Sequence, residues 1–503
     1  MQQETGPSSS AEPTSRLVEK RAIEYIPLRE RHGKAWHVTP VWIACSANLT
    51  GLAIGGIGIA SGLNLGWSLL AIVVGGFVGT FFAAFHGTQG PQLGIPQMIQ
   101  SRPQYGYVGA VLIYIVAVLA YLGISMFAIL LMGQALGTLL GISPEVGMVM
   151  MTALATGLAI AGYDLVHKFS RWSTIAFVVA LPLLAIATPF VTNLPTGSAA
   201  LSSDGFNGTA FMMEASAMAV GTLSWAPYVS DYTRYLPRMS TKAAFFGTYL
   251  GMSITGIVVA SVGALLAAGL PGVDLGQALV TVGNGVFNGL GSILLIITLV
   301  GTAVLVCMNT YGGALTVMSI ADSVRPSKPR PIVRPIVATA FGATSLILAL
   351  QATGAFAANF YNFLTILFYA LAPWTATNLV DYFFVRRGHY SIREIFNPRG
   401  MYGRWNWRGY TAYGVSLLAM APFALTAWWS GPIGSMLGFD IAPFVGMAVS
   451  ALVYLALARS LDLEGERRKI IQADAGLEDW AETGTPIPAK DPGLTLATKK
   501  EGI

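Results

Sequence analysis

The feature that most constrains this chain is a series of long apolar runs, which recur from about residue 38 to residue 458. Most runs approach or exceed the roughly 20 residues that an α-helix needs to cross the hydrocarbon core of a bilayer. Only 11% of the 503 residues are charged, whereas a typical soluble domain carries about 25%. Because backbone polar groups in hydrocarbon must be paired within the protein, the runs predict transmembrane helices. We therefore expect an all-α membrane protein.

The apolar runs divide into twelve predicted spans, numbered 1 to 12 in chain order. They cover residues 38–62, 66–86, 108–138, 145–163, 172–192, 208–229, 243–268, 289–318, 333–351, 359–385, 409–430 and 441–458. With the N-terminus in the cytoplasm, no Lys or Arg falls in an outer loop, which agrees with the positive-inside rule.

We therefore expect a multi-pass protein of the plasma membrane with both termini cytoplasmic. Residues 1–36 form the N-terminal tail, residues 37–458 the membrane domain and residues 459–503 the C-terminal tail. The C-terminal tail is charged and contains proline, so it is expected to be mostly disordered, with a short helix over 463–473.

Charge, cysteine and motif content exclude several function classes. The formal net charge is +5, but the basic residues lie in short loops, so nucleic acid is not an expected partner. Cys45 and Cys307 both lie in apolar runs, where small buried hydrophobic residues are common. His86 and His167 stand alone and are expected at the membrane interface. The chain has no P-loop signature, and we expect no enzyme activity, catalytic residue, metal or cofactor.

Two spans combine small, polar and helix-breaking residues at mid-depth. Span 1 reads SANLTGLAIGGIG over residues 46–58, and span 6 reads GTLSWAPYVSD over residues 221–231. Spans five apart have opposite orientations, so 38–192 and 208–385 are predicted inverted repeats, with extra helices at 409–458. Broken helices at matching positions of such repeats mark the central site of a transporter. The glycines by themselves would equally suit helix packing.

Polar and aromatic side chains at these breaks, and in the long spans 3 and 8, are the candidate substrate-binding residues. Asn309 is the most informative, because an amide at mid-span is costly without a partner. Its donor and acceptor match the lactam edge of a ring, and an interhelical hydrogen bond is the alternative. The full candidate set is Asn48, Thr50, Gly51, Ser125, Phe127, Ser224, Trp225, Asn309 and Tyr311.

An acid inside a predicted span is a candidate for ion coupling. Glu214 lies near the outer end of predicted span 6, and intramembrane acids commonly serve proton or ion pathways. A surface position is the alternative, if span 6 begins one turn later.

Three segments carry a family resemblance. They are GPQLGIPQMIQSR at 90–102, WAPYVSDYTRYLP at 225–237 and PWTATNLVDYF at 373–383. With them, the chain from Trp42 to Arg387 resembles the nucleobase–cation symporter family, in its purine–cytosine permease branch. The resemblance implies the five-plus-five inverted-repeat fold with two extra helices.

The resemblance also implies a function. Members import a nucleobase or a related planar heterocycle, of cytosine, purine, hydantoin or allantoin type, in symport with a cation and by alternating access. It implies that Asn309 corresponds to the span 8 asparagine that binds substrate. Trp225 is similar to the branch's span 6 tryptophan, and Asn48 is similar to the span 1 asparagine at the start of the break. Ile124, Ala128 and Leu305 stand where relatives carry aromatic or amide side chains, so a less polar pocket is expected. The identity of the transported heterocycle is therefore left undecided.

The family resemblance also bears on which cation is coupled. Sodium-coupled members place two hydroxyls where this chain has Ala303 and Val304. Because hydroxyl oxygens suit a hard cation, their absence favours protons over sodium, with Thr302 as the remaining candidate ligand. A gradient-independent facilitator or channel, or a transporter of another small metabolite on the same fold, is the alternative function. Channels usually show pore repeats or rings of like charge, and neither is visible here.

Overall fold

A computed structural model describes residues 21–34, 38–161, 163–192, 194, 206–239, 241–326, 332–352 and 359–483, with the backbone alone for 163–173. His167 lies in that backbone-only part, so its predicted position stays untested. The α-helices of the described residues, numbered in chain order, are α1 Thr39–Ser46, α2 Leu49–Gly55, α3 Ile57–Ala60, α4 Leu65–Gly87, α5 Gln89–Leu93, α6 Arg102–Tyr105, α7 Val111–Leu140, α8 Pro144–Ala161, α9 Tyr163–Thr192, α10 Gly208–Leu223, α11 Val229–Thr233, α12 Thr241–Gly269, α13 Leu275–Val286, α14 Leu290–Val324, α15 Val333–Gln351, α16 Phe360–Val380, α17 Ile392–Ile395, α18 Trp407–Met420, α19 Pro432–Leu437, α20 Ala442–Ala458, α21 Leu463–Ala473 and α22 Leu477–Thr483.

Eight helical segments of the described residues are long and apolar enough to cross a membrane. They correspond to predicted spans 2, 3, 4, 5, 7, 8, 9 and 10. A ninth is reached if α20 and α21, which meet at a bend of 84°, count as one span. Because α21 reads LEGERRKIIQA, its charges do not suit hydrocarbon, and we describe it with the C-terminal tail. The described residues thus form an α-helical protein with eight to nine apolar spans.

The other four predicted spans consist of shorter helices. Span 1 contains α1, α2 and α3, and in span 6 α10 ends at Leu223 before a 3-10 turn over Ala226–Tyr228. The predicted extent of span 11, to residue 430, is wrong, because α18 ends at Met420. Pro422 lacks the N–H that a continuing helix requires, and beyond it the N–H of Thr426 bonds the carbonyl of Trp429 at 2.8 Å.

Glycines allow the closest helix contacts. A Cβ on Gly55 would lie 1.8 Å from the carbonyl oxygen of Ala260, and one on Gly79 would lie 2.0 Å from that of Ala219. Backbone therefore meets backbone between α2 and α12 and between α4 and α10, as small residues permit in membrane bundles. Elsewhere α7 packs along α14 and α8, while α16 and α18 both pack on α20.

The C-terminal tail differs from its predicted disorder as far as Thr483. The predicted helix over 463–473 is present as α21, and α22 follows it. Glu466 accepts two hydrogen bonds from the Arg386 guanidinium, at 2.9 and 3.1 Å. Asp474 accepts from the N–H of Ile392 at 3.0 Å. These contacts fix the described part of the tail to the loop that follows α16.

Candidate functional site

A cavity of about 50 Å³ lies where the segments of predicted spans 1 and 6 meet. Since one water needs about 10–15 Å³ of such space, the cavity has room for several. Its wall comes from α2, α7, α10, α12, α14 and α16 and from the residues that precede α2 and follow α10. The predicted site residues on this wall are Asn48, Thr50, Gly51, Ser224 and Trp225.

Asn48 shapes the span 1 side of the cavity. Its backbone is extended, with φ −138° and ψ 163°. Its side-chain oxygen accepts from the N–H of Gly51 at 2.8 Å, and its amide donates to the carbonyl of Cys45 at 2.6 Å. One side chain thus caps the start of α2 and also pairs a carbonyl at the end of α1.

Thr50 offers a polar atom to the cavity. It is 5% exposed, lines the wall, and its hydroxyl has no hydrogen-bond partner among the described residues. A buried hydroxyl without a partner loses stabilising free energy, so it is a natural contact for a polar ligand atom.

Trp225 and Ser224 form the span 6 side. The Trp225 indole meets the rings of Trp42 and Tyr228 at interplanar angles of 75° and 66°, with centroids 6.1 and 5.3 Å away. Both neighbours are therefore edge-to-face, and neither stacks in parallel. The Ser224 hydroxyl donates to the carbonyl of Gly221 at 2.8 Å. Pro227, which cannot donate a backbone hydrogen bond, stands in the turn that follows.

Asn309 lies behind this wall rather than on it. It is fully buried in α14, and its side-chain oxygen accepts from the hydroxyl of Tyr228 at 2.9 Å. Its amide nitrogen has no partner within the described part of the chain. Tyr228 lines the cavity and Asn309 does not. The structure thus realises the interhelical hydrogen bond that stood as the alternative for Asn309.

Three other predicted residues lie away from the cavity. Phe127 stacks on Phe360, with centroids 3.7 Å apart and planes 14° apart, and lines a neighbouring cavity. Ser125 is fully buried. The Tyr311 hydroxyl accepts from the Arg234 guanidinium at 3.3 Å.

Several cavity residues were absent from the predicted set. Two of them, Ile124 and Leu305, are the apolar departures from the family pattern noted above. Tyr228 stands in a quoted motif beside Trp225, so that motif contained a usable signal. Ser46 and Thr222 are polar and stand in the two quoted break segments, so they also carried a signal. The remaining ones gave none, because apolar residues and glycine occur throughout the spans. The added wall residues are Ser46, Ile54, Ile124, Met218, Gly221, Thr222, Tyr228, Gly256, Leu305, Phe360 and Leu364.

The two ion-coupling candidates each accept a hydrogen bond from the backbone of the span 1 segment, at Leu49 and at Gly58. The Thr302 hydroxyl accepts from the N–H of Leu49 at 2.9 Å and donates to the carbonyl of Thr298 at 2.7 Å. It therefore closes the first turn of α2. Glu214 is fully buried, unlike the surface alternative, and accepts from the N–H of Gly58.

A buried polar loop lies at the basic end of the bundle, which we define as the end that carries Arg102, Arg234 and Arg386. The loop, residues 88–105, contains the first family motif and joins α4 to α7. His86 precedes it, and its expected interfacial position is wrong. It is fully buried and stacks on Trp374, with centroids 4.8 Å apart and planes 8° apart.

The N-terminal segment also docks at this end. Its Tyr25 hydroxyl donates to Glu478 of α22 at 2.7 Å, and the Arg31 guanidinium donates to the carbonyl of Pro91 at 2.7 Å. Burial, together with the hydrogen bond to Glu478, raises the pKa of Tyr25 to about 12. Burial also raises the pKa of Asp474. The described part of the N-terminal segment therefore contacts the buried loop through Arg31, and α22 contacts that segment through Glu478.

A cavity between short helices, inside a bundle of helices apolar enough to cross a membrane, is an arrangement that transporters use for their central site. The chain belongs to the family of permeases for cytosine/purines, uracil, thiamine and allantoin, whose profile matches residues 25–446. Members of this family are transporters, so this chain is a permease and not an enzyme.

Named relatives agree with the family. The chain is 37% identical over 449 residues to the putative purine-cytosine permease YxlA of Bacillus subtilis, covering 88% of this chain and 96% of the relative. It is 26% identical over 467 residues to the purine-cytosine permease fcyB of Emericella nidulans, covering 88% of each.

A solved structure agrees in fold. Mhp1, a nucleobase-cation-symport-1 family transporter in a closed conformation with bromovinylhydantoin bound, superposes with a TM-score of 0.73 at 18% identity. The match covers 93% of this chain and 99% of Mhp1. At this identity the likeness concerns the fold alone.

Proposed function

We propose that this chain imports a nucleobase or a closely related planar heterocycle in symport with a cation, by alternating access. The observation that carries the proposal is the cavity bounded by the Trp225 indole and by the unpartnered Thr50 hydroxyl. A planar heterocycle has an aromatic face and a polar edge, and this wall offers a partner to each. The names of the relatives support the same class of substrate.

In the proposed topology the chain crosses the membrane twelve times. Eight of these spans are the long helical segments, and the other four are the shorter segments in predicted spans 1, 6, 11 and 12. Residues 38–192 and 208–385 then form the two inverted repeats, with breaks at Asn48 and after Leu223 in matching places. The basic loops support cytoplasmic positions for both termini, and the plasma membrane is the proposed location.

Trp225 and Asn309 take different parts in the proposed site. Stacking on the indole of Trp225 contributes about 0.5–1.5 kcal/mol beyond area burial. Asn309 positions Tyr228 through their hydrogen bond. The amide nitrogen of Asn309 has no partner among the described residues. Asn48 and Gly51 hold the shape of the break. The apolar Ile124 and Leu305 make the rest of the wall suit a ring face rather than a polar edge.

The coupled ion is proposed to be a proton. Ala303 and Val304 offer no side-chain oxygen to sodium. The Thr302 hydroxyl is already engaged as acceptor from Leu49 and as donor to Thr298, so it is a weak candidate for a metal ligand.

The experiment uses the purified full chain in proteoliposomes, preloaded with unlabelled cytosine. Counterflow of labelled cytosine is measured against a panel of purines, uracil, hydantoin and allantoin, and accumulation is measured under pH or sodium gradients. Saturable exchange with one of these rings, and accumulation under the pH gradient, are expected. Equilibration that no gradient can drive would contradict the symport proposal in favour of a facilitator.

Site variants extend the same assay. Asn309→Ala leaves the Tyr228 hydroxyl without its acceptor, so substrate affinity should fall about five- to 150-fold, from about 1–3 kcal/mol. Trp225→Phe should keep part of the binding and Trp225→Ala much less. Unchanged affinity in Asn309→Ala would remove that residue from the site. Unchanged affinity with lost transport in Trp225→Ala would reassign the tryptophan to gating.

A further inference from the structure

Glu214 is a carboxylic acid buried about one helical turn from the cavity. It is fully buried in α10 and lies four residues before the cavity-lining Met218. Its Oε2 accepts from the backbone N–H of Gly58 in α3. Gly58 in turn lies four residues after Ile54, another cavity-lining residue. The acid therefore joins α3 to α10, on the side of the cavity away from the basic end.

A second polar group without a partner lies beside it. Ser68, in the first turn of α4, is fully buried. Its hydroxyl and the Oε1 of Glu214 both lack a hydrogen-bond partner among the residues described. A Cβ on Gly58 would lie 2.9 Å from the Ser68 hydroxyl and 3.0 Å from Oε2 of Glu214. Both side chains thus face the small space that a glycine at position 58 leaves open.

Within the described part of the chain, no positively charged side chain forms a hydrogen bond or an ion pair with this acid. The elements packed against α10 are α2, α3, α4, α12 and α16, and α2 and α3 contain no titratable residue. The titratable side chains on the others are His86, Lys242, Tyr249, Tyr361 and Tyr369, with Asp440 in the adjoining loop. Of these, Lys242 and His86 lie toward the basic end of their helices, and Asp440 is bonded to Tyr369 and lines another cavity, beside Ser216, Ala217 and Val220 of α10.

The protonated acid fits these surroundings better than the carboxylate. An isolated buried carboxylate is costly in an apolar medium, and a single backbone N–H does not compensate for it. The neutral acid has one O–H donor besides its acceptor oxygen. With Oε2 accepting from Gly58, the proton of the neutral acid is placed on Oε1. The Ser68 hydroxyl faces the same small space and is the polar group to which Oε1 can donate once the two side chains rotate together.

We propose that Glu214, with Ser68 as the partner of the bound proton, is the proton-binding site of the transport cycle. This inference rests on the proposed symport. In each cycle the carboxylate takes one proton from water on the outer side, which gives the neutral acid, and returns it to water on the inner side. No other bond changes. The neutral acid permits α3 and α10 to lie in contact, whereas the carboxylate favours their separation and hydration.

The test uses three readings on the full chain in proteoliposomes. Counterflow measures heterocycle exchange, which requires no net proton movement. Accumulation is driven by a pH gradient, and a trapped pH-sensitive dye reports acidification when substrate enters. Glu214→Gln, which keeps the shape but cannot release a proton, should retain counterflow and lose both accumulation and acidification. Glu145→Gln, an exposed acid at the start of α8, is the matched control and should retain all three.

A second variant, Ser68→Ala, tests the inference independently in case Glu214→Gln does not fold. Ser68→Ala removes only the partner of the bound proton. It should keep counterflow and move the pH of half-maximal accumulation about 0.4–1 units lower, the equivalent of one hydrogen bond.

The possible results distinguish failure of the proton-site inference from failure of the proposed transport function. Accumulation and acidification at wild-type levels in Glu214→Gln would overturn the inference, as would an unshifted pH profile in Ser68→Ala. Wild-type counterflow with accumulation driven by sodium alone would overturn it while leaving heterocycle transport intact. Wild-type vesicles that exchange no heterocycle would overturn the proposed function and this inference with it.

Discussion

Replacing Thr302 with valine tests how the start of α2 is held. The Thr302 hydroxyl accepts from the N–H of Leu49 at 2.9 Å. Leu49 is the first residue of α2, so its N–H has no partner within the helix, and it is 1% exposed. Valine keeps the branched shape and removes the oxygen. A buried donor then loses its acceptor, which costs about 1–3 kcal/mol.

The free-energy cost of removing this acceptor can be measured. If it falls on the conformation that binds substrate, 1–3 kcal/mol corresponds to an affinity about five- to 150-fold weaker. Thermal unfolding of the detergent-purified protein and equilibrium binding of the preferred heterocycle measure the two effects. Thr302→Ser keeps the hydroxyl and should stay near wild type. Thr316→Val is the matched control on the same helix, because the Thr316 hydroxyl donates to the Gly312 carbonyl of its own helix and accepts from no backbone N–H of another helix among the described residues.

Two results would refute this reasoning. Wild-type stability and affinity in Thr302→Val would mean that the N–H of Leu49 does not depend on this hydroxyl. Wild-type stability with a lost dependence on sodium would instead show that the hydroxyl serves the cation.

Two further predictions concern the same break. Asn48→Ala removes a helix cap worth about 0.5–2 kcal/mol and should lower the unfolding temperature, whereas Asn48→Asp keeps the acceptor for Gly51 and should lower it less; equal unfolding temperatures would contradict the capping role. Gly55→Ala would bring a Cβ within 1.8 Å of the Ala260 carbonyl, while the neighbouring Gly56→Ala would meet its nearest atom, in Ala267, at 3.4 Å. Size-exclusion chromatography should show loss of folded protein for Gly55→Ala alone, and equal profiles would contradict the close contact.

The helix positions could be predicted because hydrocarbon imposes a simple condition. A span must be apolar and continuous, so predicted span 7 at 243–268 corresponds to α12 at Thr241–Gly269. The interruption at Asn48 was also visible, because a side chain that both donates and accepts can pair backbone groups where a helix stops. Span 11 failed, since an apolar composition continued past Pro422 where the helix did not.

The direction of each side chain could not be predicted in the same way. Helix α14 is buried on most of its surface between residues 301 and 316, so its hydrophobic pattern does not show which face meets the cavity. Asn309 consequently lies behind Tyr228, and Phe127 faces a neighbouring cavity. The docked tail was missed for a related reason. Its stability depends on distant partners such as Arg386, which a reading of the tail alone does not include.

The three family motifs, which are separate in sequence, form one buried cluster in the fold. The N–H of Gln97 in the first motif donates to Asp231 of the second at 2.8 Å, and the Gln104 amide beyond it donates to Asp381 of the third at 2.6 Å. Asp381 also accepts from Arg386 at 2.6 Å, and that guanidinium holds the tail. Separating any of these pairs without water would leave a buried charge or donor unpaired, at a cost of several kcal/mol. In the proposed alternating-access cycle, opening of the basic end would therefore require either that water enters this cluster or that the loop moves together with α11 and α16 as one unit.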